Sequence, residues 1–267
     1  MSALYLAIRA VECLCAISVL IQTLEFFRIQ PALRETGIWA WSKQRQELSH
    51  SPLWMQRLAD FIYQDRQHHV HLILRAATAT TLFFGMNSVS SVFLFISTLI
   101  ILIRWRGAFN GGSDFMTLAV LTGLLITHIS QPLVGSEMAY RAGCWFITIQ
   151  AISSYFISGT VKLFDAHWRN GRALSFFING AIFGPLKENS IYKKKWFALA
   201  SCWSFILWES TFPLALMGPQ WAIAWCSIAA LFHFLVFWHF GLNRFFWAWL
   251  CTFPTIIYCS TELRLFY

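Results

Sequence analysis

The segment Tyr155-Phe-Ile-Ser-Gly-Thr-Val-Lys162-Leu-Phe-Asp-Ala-His-Trp168-Arg-Asn-Gly171-Arg-Ala-Leu174 decides how this chain is interpreted. Its first half ends an apolar run over 141–160, and its second half leaves that run through aspartate, tryptophan and glycine. Lys162 falls at the boundary between the two halves. A lysine there is either an interfacial anchor, whose ammonium group reaches for water, or a base held at a dry helix end. The sequence leaves both interpretations open.

The whole chain is predominantly apolar. Of its 267 residues, 57% are hydrophobic and 12% are charged, whereas soluble domains carry about 25% charged residues. With a mean hydropathy of +0.55 and no long polar segment, the chain is predicted to be an all-α integral membrane protein that forms one domain over 1–267. The N-terminal run lacks a basic start and contains Arg9 and Glu12, so we expect a first membrane helix and no cleaved signal peptide.

Eight segments are predicted to span the membrane. A spanning helix needs about 20 mostly apolar residues, and lipid favours a helix even for the β-branched run 88–103, because backbone hydrogen bonds must be satisfied internally. Between the first two spans, 28–68 mixes basic residues with tryptophans, which predicts an amphipathic membrane-surface segment with a helix over 53–66 that starts after Ser51-Pro52. For 28–50, a solvated connecting loop is an equally open interpretation. The predicted spans are 3–27, 69–86, 88–103, 115–132, 141–160, 196–217, 220–240 and 245–262.

Basic residues predict the orientation. Of the 20 lysines and arginines, 17 lie in or beside the first, third, fifth and seventh connections, if Arg75 and Lys162 are counted at helix ends. The other three are Arg9, Arg141 and Arg264. The positive-inside rule then places those connections in the cytoplasm and both termini outside. We expect a multi-pass protein of the cell inner (plasma) membrane. The net charge of +8 is explained by this pattern, and no nucleic-acid partner is predicted because none of the binding motifs is present.

The sequence does not predict a metal site or a disulfide framework. Seven cysteines lie mostly inside apolar runs, which is typical of small buried side chains, and their spacing matches no zinc pattern. The run His68-His69-x-His71 does not place three ligands on one helical face, and no cysteine or carboxylate pattern supports it.

Several polar residues lie inside the predicted spans, where ionisable groups are costly and are functional candidates by default. Arg9 and Glu12 are three residues apart and can pair on one helix face. Glu209 has no local partner, so it is either functional or joined by a basic residue from another helix. His233 is interpreted either as a buried, hydrogen-bonded imidazole or as a proton-handling group.

A glycine-rich loop, Arg104-Trp-Arg106-Gly-Ala-Phe-Asn110-Gly-Gly-Ser-Asp114, precedes the fourth predicted span. Asp114 is predicted to cap the helix that follows. The paired glycines free backbone N–H groups, and with the arginines they indicate a nest for an anionic group. No GxxxxGK[ST] motif is present, so nucleotide hydrolysis is not predicted.

Three segments, taken in order, resemble the HTTM family, the horizontally transferred transmembrane domain related to the vitamin K-dependent gamma-carboxylase. The first is the loop from Arg106 to Asp114. The second is the run from Tyr155 to Leu163 with the Trp and Gly that follow it, which is similar to the carboxylase's aromatic-x-x-x-Gly-x-x-Lys-Leu…Trp…Gly run. The third is Phe232-His233, followed by Gly241-Leu-Asn-Arg-Phe-Phe and Pro254. These segments cover about 104–260, and 1–103 match the family in layout only.

The resemblance implies an eight-helix domain with a polar cavity at one membrane face. In the carboxylase the matching lysine is the base that starts oxygenation of a reduced quinone, so that role falls on Lys162, with His233 as a second catalytic, proton-handling group. The cofactor is unknown, and the resemblance suggests a quinone-like or other lipid-soluble molecule. Carboxylation of glutamate in proteins is not expected. The implied substrate-binding residues are Arg106, Asn110, Asp114 and Trp168.

Other functions remain open. Some relatives in the family belong to systems that produce or export toxic peptides, so the alternative is a non-catalytic helper with a membrane or peptide partner. A transporter ranks third, because no paired, broken helices mark inverted repeats. An enzyme should bring Lys162 near Asn110, Asp114 or His233, with an opening to lipid. A scaffold should leave the lysine at the surface. The family's loops face the lumen in the carboxylase, whereas the basic residues here place them inside, and we follow the basic residues.

Overall fold

The structure is a computed structural model that describes residues 2–104 and 111–264, and these residues form helices and turns without a strand. The all-α class is therefore confirmed. Thirteen α-helices follow one another along the described chain. They are α1 Ala3–Ile29, α2 Trp41–Gln44, α3 Leu53–Ile62, α4 Asp65–Thr81, α5 Ser88–Arg104, α6 Gly111–Val134, α7 Ser136–Phe164, α8 Ala166–Arg169, α9 Arg172–Asn179, α10 Lys195–Ser210, α11 Pro219–Phe240, α12 Asn243–Leu250 and α13 Phe253–Arg264.

Four helices in the described part of the chain are long and apolar enough to cross a membrane: Ala3–Leu33, which adds a 3₁₀ turn to α1, and α6, α7 and α11. Helix α5 is apolar but has only 17 residues. Large apolar side chains cover the outside of the bundle, and Phe84, Val89 and Leu133 are each at least 80% exposed. An apolar outer surface of this kind suits lipid better than water.

Two predicted spans are interrupted, and each break lies beside a proline. The segment 196–217 divides into α10 and a 3₁₀ turn over Phe212–Met217 that has Pro213 in its first positions. The segment 245–262 divides into α12 and α13, and Pro254 is the second residue of α13. Proline has no backbone N–H, so it is tolerated in the first turn of a helix. Inside a helix its ring clashes with the preceding turn and interrupts the helix.

The surface segment is held together by one exposed carboxylate. Its predicted helix over 53–66 ends at Ile62, and α4 begins at Asp65. Asp60 accepts hydrogen bonds from Arg45, at 2.7 and 2.9 Å, and from the indole N–H of Trp41 at 2.9 Å. The hydrogen bonds from Arg45 lower the pKa of Asp60 below its ordinary value. This pairing joins α3 to the turn before it.

Segments from connections predicted to share a side contact helix ends at one end of the bundle, which we call the basic end. There Asn243, before α12, donates a hydrogen bond to Glu25 of α1 at 3.1 Å. The backbone N–H of Ile182, after α9, donates to the carbonyl oxygen of His239 at 2.9 Å. At the opposite end Arg9 donates to the carbonyl oxygens of Leu82 and Phe83, at 3.2 and 2.8 Å.

Candidate functional site

Lys162 lies in the last turn of α7 and forms a buried ion pair. Its ammonium nitrogen is 2.5 Å from the Oγ of Ser158, one helical turn earlier, and 2.5 Å from the Oε2 of Glu209 on α10. The side chain of Lys162 is 16% exposed and that of Glu209 is 3% exposed. The lysine therefore does not extend into solvent as an anchor would, and a basic residue from another helix does join Glu209.

A glycine allows these two helices to come close enough for the pair to form. A Cβ atom added at Gly159 would overlap the backbone nitrogen of Ser210 and the side chain of Glu209. Any larger residue would push α7 and α10 apart, and small residues are the usual means by which membrane helices approach closely.

The turn after α7 places Trp168 against the lysine. The carboxylate of Asp165 accepts hydrogen bonds from the backbone N–H groups of His167 and Trp168, at 2.6 and 3.3 Å, and so caps α8. The ring of Trp168 then lies 5.1 Å from the Lys162 nitrogen, within the range of a cation–π interaction. Gly171, with φ at 81°, follows α8 and leads into α9.

Lys162 and Trp168 form part of the wall of a cavity of about 470 Å³, which we call the inner cavity. Most of the wall is apolar and aromatic, and it comes from α9, α10 and α11 together with the 3₁₀ turn Ile191–Lys193. Small-molecule sites commonly enclose about 300–1,000 Å³ and combine such a wall with a few polar groups. The other lining residues are Leu174, Phe177, Ile178, Tyr192, Phe197, Ser201, Phe205, Phe232, Leu235, Val236, His239, Phe240 and Leu242.

A second depression lies on the other side of Ser158. It is a groove of about 660 Å³ between α6, α7 and α12, and Ser154 and Ser158 line it one helical turn apart. Because Ser158 accepts a hydrogen bond from Lys162, the ion pair lies between this groove and the inner cavity.

His233 is buried, but the described contacts do not bring it to Lys162. Its Nε2 lies 2.6 Å from the hydroxyl of Tyr155, and its ring stacks on Trp249 with 5.0 Å between centroids. The neighbouring Phe232 lines the inner cavity, whereas His233 does not. The interpretation as a buried, hydrogen-bonded imidazole fits these contacts directly.

The structure describes the glycine-rich loop only at Arg104 and from Gly111 onward. Arg106 and Asn110 lie outside the described residues. Asp114 lies in the first turn of α6, which begins at Gly111, so the prediction that Asp114 caps this helix is wrong. A carboxylate in the first turn still interacts favourably with the helix dipole.

Asp114 belongs to a polar network that the sequence analysis missed. Its carboxylate is 3.4 Å from Gln22 and 3.5 Å from Arg244, and it is buried. Gln22 also accepts a hydrogen bond from Arg75 at 2.6 Å. Arg75 was counted with the basic connections, but it is fully buried and also donates to Ser97 and Thr98. The position of Arg75 inside an apolar run could have indicated this buried role, because a charged residue within a span is a functional or structural candidate.

A third polar cluster lies near the opposite end. Arg9 pairs with Glu12, as the three-residue spacing predicts, and the second oxygen of Glu12 lies 2.8 Å from Nε2 of His128. Among the described residues, no group of three or more histidine, cysteine, aspartate or glutamate side chains is placed to hold a metal ion.

Comparison of the chain with known protein families, with curated proteins and with solved structures finds no match.

Proposed function

We propose that this chain is a multi-pass membrane protein of the HTTM type that binds a lipid-soluble, quinone-like molecule in the inner cavity and removes a proton from it. One observation carries the proposal: Lys162, the one lysine among the described residues that line the cavity, is mostly shielded from solvent and pairs with a buried carboxylate, in a wall that is otherwise mostly apolar. A buried charged pair at the edge of an apolar pocket is a common arrangement at functional sites.

The shape and lining of the inner cavity suit a flat ring. Trp168 and Phe177 lie on one side, with ring centroids 5.8 Å apart, and Phe205 and Phe232 lie in another part of the wall, 5.2 Å apart. Aromatic side chains pack well against rings and exclude water. A reduced quinone would supply acidic hydroxyl protons in this setting.

Lys162 would act as the base, and Glu209 would hold its proton. The ammonium group and the carboxylate are hydrogen-bonded, so in the proposed cycle the ammonium group passes a proton to the carboxylate and becomes a neutral amine with a free lone pair. That amine can accept a proton from a hydroxyl group that lies within hydrogen-bond reach. Trp168 and Ser158 keep the nitrogen in place, one through its ring and one through its hydroxyl.

The test uses purified protein in lipid nanodiscs and a short-chain naphthohydroquinone, whose loss in air is followed by absorbance. Lys162→Met should reduce consumption of the probe by about 10²-fold or more, the usual contribution of a general base. Lys187→Met, at an exposed lysine in the loop before α10, is the matched control and should consume the probe at the parent rate. A folded Lys162→Met protein with the parent rate would remove the lysine from the reaction.

One observation favours the alternative, a non-catalytic membrane helper. Lys162 and Glu209 lie beside the close approach of α7 and α10 at Gly159, so the pair also serves as a tie between two helices. Under this hypothesis Lys162→Met would lower the stability of the bundle, and the parent protein would consume the probe no faster than empty nanodiscs.

A further inference from the structure

A second cavity, nearer the surface, shares a wall with the inner cavity. This surface cavity has a volume of about 400 Å³ and is lined by Asp165 and by residues of α8 and α9. Trp168 and Phe177 line both cavities. Because the same two rings line both cavities, the space beside Lys162 adjoins the space beside His167 and Arg172.

The surface cavity is set in the most basic stretch of the chain. Residues 165–195 contain six lysines and arginines against two carboxylates, Asp165 and Glu188. Asp165 is occupied by the backbone N–H groups at the start of α8. The hydroxyl of Ser175 on α9 donates to the carbonyl oxygen of Tyr192 at 2.9 Å, which brings the run Lys193-Lys194-Lys195 close to α9.

The basic side chains of the two cavities differ in whether a carboxylate pairs with them. Lys162 is already paired with Glu209, so an anion that entered the inner cavity would meet both charges. In the described part of the chain, the Arg172 side chain has no carboxylate partner within salt-bridge distance. A guanidinium group offers two parallel N–H donors that match the oxygens of a carboxylate or a phosphate.

Aromatic side chains mark this region as interfacial. Phe176 is 77% exposed and Trp196 is 64% exposed, and both lie beside the basic residues of α9 and α10. Aromatic rings flanked by lysine and arginine are typical of the boundary between lipid and water. An amphiphile in the bilayer would therefore meet this face with its headgroup at the level of Arg172.

We propose that the inner and surface cavities form one site for an anionic amphiphile, with the apolar body in the inner cavity and an acidic headgroup held by Arg172 and His167. The proposal rests on the proposed function, because it uses the same cavity, and it specifies the headgroup of the molecule that binds there. Carboxylate and phosphate share the required chemistry. The Trp168–Phe177 pair packs against the segment that joins head and body.

The experiment measures binding and does not depend on turnover. Protein in phosphatidylcholine nanodiscs is irradiated with one of three probes that carry a diazirine on the same sixteen-carbon chain: a carboxylic acid, a phosphate monoester or a neutral alcohol. Mass spectrometry then locates the labelled residues. At least one acidic probe should label Phe205, Phe232 or Leu235 about tenfold more strongly than the alcohol does, and the stronger of the two acids identifies the headgroup.

Variants test the assigned contact. Arg172→Gln should reduce labelling by the acidic probe to the level of the alcohol and should leave labelling by the alcohol unchanged. Lys187→Gln, which removes a charge from the same basic stretch outside the cavity lining, should keep the preference for the acid. Equal labelling by the three probes, or an acid preference that survives in a monodisperse Arg172→Gln protein, would overturn the proposal.

The two proposals fail in different ways. Headgroup-dependent labelling without consumption of the naphthohydroquinone leaves the amphiphile site in place and removes the proton-transfer function. Consumption of the naphthohydroquinone, together with equal labelling by acidic and neutral probes, supports the proton-transfer function and removes the amphiphile site.

Discussion

The carboxylate of Glu209 on α10 meets the ammonium group of Lys162 on α7 at 2.5 Å, and both side chains are largely shielded from solvent. Removing two charges from water has a large free-energy cost, which their attraction offsets only when geometry and further hydrogen bonds are good. Ser158 supplies one such bond, and the ring of Trp168 faces the nitrogen. The pair is thus held from several sides.

Breaking the pair from one side should destabilise the protein more than removing it entirely. Glu209→Gln leaves the lysine buried without its counter-charge and is expected to lower the free energy of unfolding by about 3–5 kcal/mol. The double variant Lys162→Met/Glu209→Gln should be more stable than Glu209→Gln alone. Unfolding in mixed micelles, followed by circular dichroism, gives both values. Additive effects of the two substitutions would show that the charges do not interact.

The close approach at Gly159 should be as important as the charges. Gly159→Ala places a methyl group against the backbone of Ser210, and overpacking of this kind costs about 1–3 kcal/mol. The helices must separate, so consumption of the naphthohydroquinone should fall even though both charged residues are present. Gly180→Ala is the matched control, because the nearest atom to its added Cβ is 3.6 Å away. Parent-like turnover in Gly159→Ala would show that the helix spacing does not matter.

The position of the site could be predicted from the sequence better than its contacts. Lys162 stands out because it ends an apolar run, and Glu209 because a carboxylate inside a span needs a partner. Their pairing could not be read from sequence, since they are 47 residues apart. The contact between His233 and Tyr155 joins residues 78 apart and was equally invisible.

The incorrect predictions share one physical cause: a local sequence pattern does not show which residues of other helices lie nearby. Arg75 was grouped with the topogenic charges because it lies near a predicted helix end, yet partners from two other helices bury it. The breaks at Pro213 and Pro254 were visible as prolines, but apolar composition alone extended the predicted spans across them.

The surface segment should loosen in acid. The hydrogen bonds from Arg45 lower the pKa of Asp60 below its ordinary value of 3.8. A carboxyl group with a lowered pKa stabilises the fold above its unfolded-state value, and this contribution is lost as the pH falls through its folded-state value. Hydrogen exchange over 41–62, corrected for intrinsic rates, should therefore change little from neutral pH to pH 3.8 and rise below it. Asp60→Asn should exchange faster than the parent at neutral pH and lose this pH step, whereas a step that persists in Asp60→Asn would assign it to another group.

The buried guanidinium of Arg75 should be indispensable for the packing of α4. It donates to Gln22 at 2.6 Å, to Ser97 at 3.0 Å and to Thr98 at 2.9 Å. Arg75→Met would leave the side-chain oxygen of Gln22 buried without its donor, at a cost of about 1–3 kcal/mol. The hydroxyls of Ser97 and Thr98 would lose this donor but keep their contacts with His71 and with the carbonyl oxygen of Leu94. Arg75→Lys should recover only part of the loss, because an ammonium group lacks the planar fork that reaches partners on two helices. Arg57→Met, at an exposed position on α3, is the control for loss of a positive charge. If Arg75→Met unfolds at the same denaturant concentration as the control, the network does not hold α1, α4 and α5 together.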